Sequence, residues 1–372
     1  MKILYYFPEY DTPMFQWQRF HIIDELSRHN VQFETFNPLV YSGPDEANER
    51  FVSRIKKGGF DLLLSSVCYE GIIYPEVLEA ANQQGCPSLL IRWDNLTVPF
   101  YDKKQAKLFD LVWLTCRETT RLYAKWGGKY IVQPYAANPF TMSYDKVPLE
   151  RRVCFLGTPY GSRSHMINTL TGAGIDVDLY YGGSKMLEEQ KIKVNYDIAH
   201  PSYWKILLHR LSYAEGRKLI HGALKNKMVG SRTINEVPAL HHLNSIPPSD
   251  LSSVYASHAI CLASTSTNHT DSLKKPLKIV NLRSFEIPMS GGLALCRYNP
   301  ELSEYFAEGK EILFYHTDEE LIEKARYYTE KASNNELIRM KEAARNRAEK
   351  DHTWWKRFTA AFDALGLTYN HE

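Results

Sequence analysis

Glu286 and its neighbours are the most chemically suggestive group in the chain. The run reads Arg283-Ser284-Phe285-Glu286-Ile287-Pro288-Met289-Ser290-Gly291-Gly292, and a strand-like segment, Leu293–Cys296, follows it. A carboxylate at the mouth of a strand–helix–strand unit can accept hydrogen bonds from both hydroxyls of a ribose diol. Arg283, and Lys278 eight residues before Glu286, supply cations for phosphates. Gly291 and Gly292 suit either a helix stop or a close backbone approach to a sugar. A carboxylate at a helix start can also be a simple cap. A second group, Gly157-Thr158-Pro159-Tyr160-Gly161-Ser162-Arg163, joins a strand to a helix. Gly157 and Ser162 mark a loop whose amides can face a diphosphate, with Arg163 as the paired charge or as a solvated surface cation. Together these residues point to a nucleotide-activated compound, a nucleotide sugar.

Acid–base chemistry has three candidates. Asp94 follows a buried strand and precedes a polar turn, where a base can reach an acceptor hydroxyl. Glu9 (with Asp11) and His21 follow the first strand and compete with it. For each, a cap or a surface charge is the plainer account. No metal is expected. Asp176-Val177-Asp178 has the spacing of a metal-binding pair but lies in a predicted strand, and no H-E-x-x-H or Cys/His grouping accompanies it. The glycines spell neither a Walker A loop nor G-x-G-x-x-G, so no bound cofactor is expected, and the nucleotide sugar is a substrate.

These residues need strands to carry them. Short apolar runs at 2–7, 61–67, 88–92 and 109–114 read as buried parallel strands, with 31–36 and 129–133 beside them. Helical spacing marks 15–29, 75–84 and 118–126. The pattern restarts at Arg152–Leu156 and runs through strands at 175–180, 259–262, 293–296 and 311–315. Thr317-Asp318-Glu319-Glu320 is a capping box opening a helix, and 335–350 is a charged amphipathic helix. Alternating strands and helices predict two parallel α/β domains, with ligands at the strand carboxyl ends and a cleft between facing domains. Residues 1–140, completed by a terminal helix at about 355–372, form the first domain, and 150–354 the second. A basic helical insertion at about 185–245 belongs to the second. Within it, 201–232 carries seven Lys/Arg against Glu215, with Tyr203, Trp204 and Leu208. It reads as a solvated insertion or as a face for an anionic membrane or an acidic glycan.

At 372 residues the chain is long enough for two cores. A net charge of +2 gives no general case for binding nucleic acid. Six scattered cysteines without C-x-x-C spacing read as buried free thiols in a reducing compartment. The N-terminal apolar run is too short for a signal peptide, and no apolar stretch approaches the ~20 residues of a membrane span. A cytoplasmic location follows, with a peripheral position at the inner face of the membrane as its variant.

Several further runs resemble one family. They are Arg283-x-Phe-Glu286-Ile-Pro-x-x-Gly291, then Pro300-Glu301 through Phe306 to Gly309-Lys310-Glu311, then Asp318–Leu321, Arg326–Tyr328 and Asp351-His352-Thr353-Trp354. Upstream, Val153–Arg163, Gln133–Phe140 and Arg92-Trp93-Asp94-Asn95 add to them. In combination, over roughly 88–160 and 250–358, the chain resembles the CgeB/YkvP-like glycosyltransferases, related to families 1 and 4. The resemblance implies a GT-B fold of two Rossmann-like domains and metal-independent transfer from a nucleotide sugar. A UDP-sugar is the favoured donor, and a glycan or lipid-linked acceptor in surface polysaccharide or glycoconjugate synthesis is the favoured acceptor. Family 4 kinship favours retention, but Lys278 stands where those enzymes carry the first glutamate of a Glu-x7-Glu pair. A nucleotide-sugar epimerase and a non-catalytic glycan-binding or coat-assembly protein are the alternatives.

Overall fold

The apolar runs become two parallel six-stranded sheets. A computed structural model describes residues 1–9, 17–67, 72–143, 147–181, 202–229, 233–267 and 269–369. The first sheet holds β1 (Lys2–Tyr6), β2 (Gln32–Phe36), β3 (Leu62–Ser65), β4 (Ser88–Arg92), β5 (Leu111–Leu114) and β6 (Tyr130–Val132). The second holds β7 (Glu150–Leu156), β8 (Val177–Tyr180), β9 (Leu240–Leu243), β10 (His258–Ala263), β11 (Ala294–Arg297) and β12 (Leu313–Tyr315). Their orders are β2-β1-β3-β4-β5-β6 and β12-β11-β10-β7-β8-β9. Every pairing among these strands is parallel. Helices cover both faces of such a sheet, so its central strands must be apolar on both sides. Leu62-Leu63-Leu64 and Ile260-Cys261-Leu262 meet that demand and are all buried. Strand order reverses between β1 and β3 and between β7 and β10. In open α/β sheets such reversal points open a crevice at the carboxyl ends.

The chain divides into two units. One takes in Met1–Pro134, Gln190–Arg217 and Trp354–Glu372, the other Tyr135–Glu189 and Lys218–Thr353. The basic insertion therefore does not belong wholly to the second domain. Its helix Tyr203–Leu211 lies in the first unit, where His209 stacks on Phe100 with ring centres 4.3 Å apart. Tyr213 donates to the carbonyls of Leu96 and Thr97 at 3.4 and 3.2 Å. Shape-fitting aromatic contacts, invisible in the charge pattern, decided the placement. The helix Trp354–Leu365 also lies in the first unit, and the buried Glu25 carboxylate accepts from the amides of Trp354 (3.1 Å) and Trp355 (2.7 Å) at its start. Among the described residues no helix is long and apolar enough to cross a membrane.

Candidate functional site

In the second unit, β7 ends at Leu156 and the chain turns at Gly157 with φ of +118°, a conformation that side chains disfavour. Gly161, with φ of +55°, then leads into the helix Ser162–Gly172. Ser162 and Arg163, read from the sequence as the end of the loop, therefore belong to the first turn of the helix. Ser162 Oγ lies 3.2 Å from Ser264 Oγ, which joins this turn to the end of β10. Arg163 lies over the Tyr160 ring at 4.4 Å and donates to the Thr158 carbonyl at 3.2 Å.

Arg283 opens the helix Arg283–Met289 and reaches back to the β7 turn. Its guanidinium faces the Phe155 ring at 5.6 Å. It also passes so close to Gly157 that a Cβ there would sit 2.5 Å from Nη2. Only glycine lets this guanidinium lie on the turn. Burial, and then the charge of Arg283, hold Arg163 below its ordinary pKa. An arginine in a protein stays protonated, so a partly buried positive charge stands here beside a second one. Neither guanidinium forms an ion pair with a carboxylate among the described residues. The pair suits an anion with several oxygens.

Glu286 is buried one turn beyond Arg283 on the same short helix. Gly291 and Gly292 lie buried at the other end of that helix. Their amides donate to the Pro288 and Ile287 carbonyls at 2.9 and 2.8 Å, which ends the helix. A Cβ on Gly292 would meet the Ile287 and Tyr255 carbonyl oxygens at 3.0 Å, so its smallness serves packing. Lys278 is not gathered with the arginines. Its Nζ donates to the Tyr298 carbonyl at 2.5 Å, at the end of β11. The structure thus brings Gly157, Arg163, Arg283 and Glu286 to one region and leaves Lys278, Gly291 and Gly292 outside it.

The first unit sorts its three acid–base candidates. Glu9 accepts from Arg19 Nε at 2.7 Å and from its Nη2 at 2.5 Å, so its carboxylate is already engaged. His21 is buried on a π-helical turn among Phe20, Trp17 and Trp354. Asp94 is exposed just past β4 in the left-handed conformation, with φ of 49°. Its amide donates to Thr115 Oγ1 at 3.1 Å, and its carbonyl accepts from the Thr97 amide at 3.0 Å. Next to it, Asn95 is buried and ties the ends of β4 and β5 together, accepting from the amides of Thr115 and Cys116 at 3.0 and 2.8 Å. Arg92 of the same motif is structural: it pairs with buried Asp102 at 2.7 Å. Sequence reasoning missed Trp93 and Trp17, half-buried with ring centres 5.0 Å apart beside Asp94. A tryptophan directly before the candidate base was the available signal.

Glu150, Asp178 and His258 form the one candidate metal-ligand group among the described residues, at the amino-terminal edge of the second sheet. Asp178 is engaged with His258 at 3.1 Å and Arg152 at 3.3 Å, which makes this an ion-pair network. Asp176 lies outside β8, so the Asp-x-Asp pair does not share a strand.

The two sheets and their orders define the GT-B fold of glycosyltransferases. Residues 205–363 match the family described as glycosyl transferase-like, a stretch that includes Arg283 and Glu286. Solved structures share the fold across nearly the whole chain. One is Anabaena Alr3699/HepE in complex with UDP-glucose, at 12% identity and a TM-score of 0.55, covering 98% of this chain and 99% of that one. Sucrose-phosphate synthase from Thermosynechococcus elongatus gives the same four values. A glycosyltransferase from Rickettsia africae aligns at 10% identity and a TM-score of 0.57, covering 99% of each chain. No curated protein matches the sequence.

Proposed function

We propose that this protein is a glycosyltransferase that takes its sugar from a nucleotide diphosphate, with a UDP-sugar as donor. The observation that carries the reading is the unpaired couple Arg163 and Arg283 at the Gly157 turn. A diphosphate offers the several anionic oxygens this couple calls for, and Glu286, one turn along, is our assignment for the ribose diol. The family match over 205–363 and the Anabaena structure with UDP-glucose support the donor class. As the leaving diphosphate gains charge, the two guanidiniums stabilise it without a metal. In the first unit we assign Asp94 as general base for the acceptor hydroxyl, with Trp93 and Trp17 as faces for a sugar ring. The motif likeness to CgeB/YkvP-like enzymes supports a surface glycan or lipid-linked acceptor, and family 4 kinship supports retention.

A lipid-linked acceptor also agrees with the helix Tyr203–Leu211. Tyr203, Trp204 and Leu208 are 72%, 71% and 68% exposed, and Lys205 stands among them. Exposed aromatic and aliphatic residues beside cations favour an anionic membrane surface.

A thermal-shift panel of UDP, GDP, CMP and dTDP tests the donor assignment. A ligand at 100 times its Kd stabilises the fold by ~2.7 kcal/mol. UDP is expected to raise the melting temperature most. No response to any nucleotide would remove both this reading and the epimerase alternative. Nucleotide binding with no UDP release from any UDP-sugar and acceptor would favour a non-catalytic glycan binder.

A further inference from the structure

A second cluster of cations stands in the same unit, at the carboxyl ends of β11 and β12. Lys274, Lys275, Lys278, Arg297 and His316 line a cavity of about 370 Å3 with Tyr298, and no carboxylate lines it. The segment beyond β10 folds back to build it. Thr267 donates to the Leu277 carbonyl and Ile279 to the Thr265 carbonyl, both at 2.9 Å. This antiparallel pairing turns Lys278 towards Tyr298, 5.3 Å from the ring centre. Tyr298 stacks on His316 with ring centres 4.9 Å apart, and Arg297 donates to the His316 carbonyl at 3.4 Å. Burial and the charge of Arg297 both hold Lys278 below its ordinary pKa.

A surface normally disperses like charges or interleaves acids with them. Here Lys274, Lys275, Lys278 and Arg297 have no carboxylate partner among the described residues. A concave set of uncompensated cations is built for an anion. Arg283 meets the end of β7, and β10 separates that strand from β11. The two cationic groups thus stand at the ends of strands two places apart in the sheet, with about 10 Å between the strand axes.

A neighbouring cavity of about 320 Å3 shares Arg297 and His316. Ser264, Thr265 and three carboxylates, Asp271, Asp318 and Glu319, line it with groups suited to sugar hydroxyls. Asp271 keeps one buried carboxylate oxygen without a partner. One side of the joined space is therefore cationic and the other offers neutral and acidic hydrogen-bonding groups.

We propose that this joined cavity binds an anionic sugar. The acid group lies on Lys274, Lys275, Lys278 and Arg297, and the hydroxyls face Ser264, Thr265 and Asp271. The shared chemistry is a sugar carrying a carboxylate or a phosphate, either as a uronate or as a sugar phosphate. The site adjoins the nucleotide assignment, since Ser162 also lines the smaller cavity and lies 3.2 Å from Ser264, but Arg297, Lys274 and Lys275 have no part in that assignment.

Calorimetric titration of the full chain with glucuronate, glucose 6-phosphate, glucose and inorganic phosphate tests it. At least one of the two anionic sugars is expected to bind about tenfold or more tighter than glucose, which lacks the charged hydrogen bonds, and than phosphate, which lacks the hydroxyl contacts. The stronger of the two identifies the source of the charge. Arg297→Met and the exposed pair Lys274→Glu/Lys275→Glu are each expected to weaken that binding at least tenfold, while UDP binds as to wild type. Asp271→Asn is expected to weaken the sugar and leave inorganic phosphate unchanged. Should Arg297→Met fail to fold, the surface lysine pair decides. The proposal is overturned if neither anionic sugar binds, if phosphate alone binds as well as they do, or if the folded variants bind them unchanged.

Discussion

Gly157 shows how one residue sets the charge arrangement of the site. Its φ of +118° and the guanidinium of Arg283 at its Cβ position leave no room for a side chain. Gly157→Ala is expected to cost ~1–3 kcal/mol of stability through backbone strain. It must also displace Arg283, so UDP affinity should fall further than a loss of stability alone would cause. Chemical denaturation and UDP titration of the same variant separate the two effects. The buried Asp178–His258 pair makes a second residue-level prediction. Burial opposes the imidazolium, but the hydrogen bonds that His258 donates to Asp178 and to the Val254 carbonyl, with the negative charge nearby, together outweigh it and leave His258 above its ordinary pKa. Burial also pushes Asp178 up, and His258 with Arg152 more than offsets this, leaving Asp178 below. The stability from raised His258 is complete below its unfolded value of about 6.5 and fades as pH rises through the folded one. That from depressed Asp178 is complete above about 3.9 and fades as pH falls through its folded value. Melting temperatures of wild type and Asp178→Asn should therefore differ most between about pH 4 and 6.5, and converge at either side. A difference that is flat with pH would show that the pair is not ionised.

At the scale of elements, short-range chemistry was legible and long-range chemistry was not. The capping box at Thr317 is present: Thr317 Oγ1 accepts from the Glu320 amide at 3.2 Å, and Glu320 accepts from the His316 amide at 2.7 Å. All its partners lie within four residues. The cap on the helix Trp354–Leu365 comes instead from Glu25, 329 and 330 residues away from the amides it accepts. No local pattern announces such a partner. Glu25→Ala leaves buried amides unsatisfied and should lower stability by about 2 kcal/mol, read by chemical denaturation, with Glu25→Gln milder. An unchanged midpoint for Glu25→Ala would show the cap to be idle. Strand β9 was missed because its histidines interrupt the apolar run at a sheet edge, where burial no longer demands continuity. The helix Pro44–Lys56 was missed although Ala47, Phe51 and Ile55 form a buried stripe at helical spacing, because the stripe is narrow in a mostly polar run. In the site, strand ends and glycines put Gly157, Arg163 and Arg283 within reach of sequence reasoning. The turn of Lys278 towards Tyr298 depends on a fold-back that no spacing reveals.

At the scale of the whole molecule, two parallel sheets of six strands place a reversal point in each unit, and the cationic turn of the second unit stands at one of them. The first unit carries the exposed Trp204 and Leu208 helix. Vesicles containing anionic lipid are expected to retain the wild-type protein, and Trp204→Ala/Leu208→Ala to reduce that retention severalfold without changing UDP binding. Equal retention of both proteins would assign the helix another partner. The central claim concerns the diphosphate, and calorimetric titration of UDP into wild type and the Arg163→Ala/Arg283→Ala variant tests it most directly. Each charged hydrogen bond contributes ~1.5–3 kcal/mol, so the account predicts saturable binding to wild type, weakened about a hundredfold or more in the variant. No binding to wild type, or equal binding to both, would contradict it.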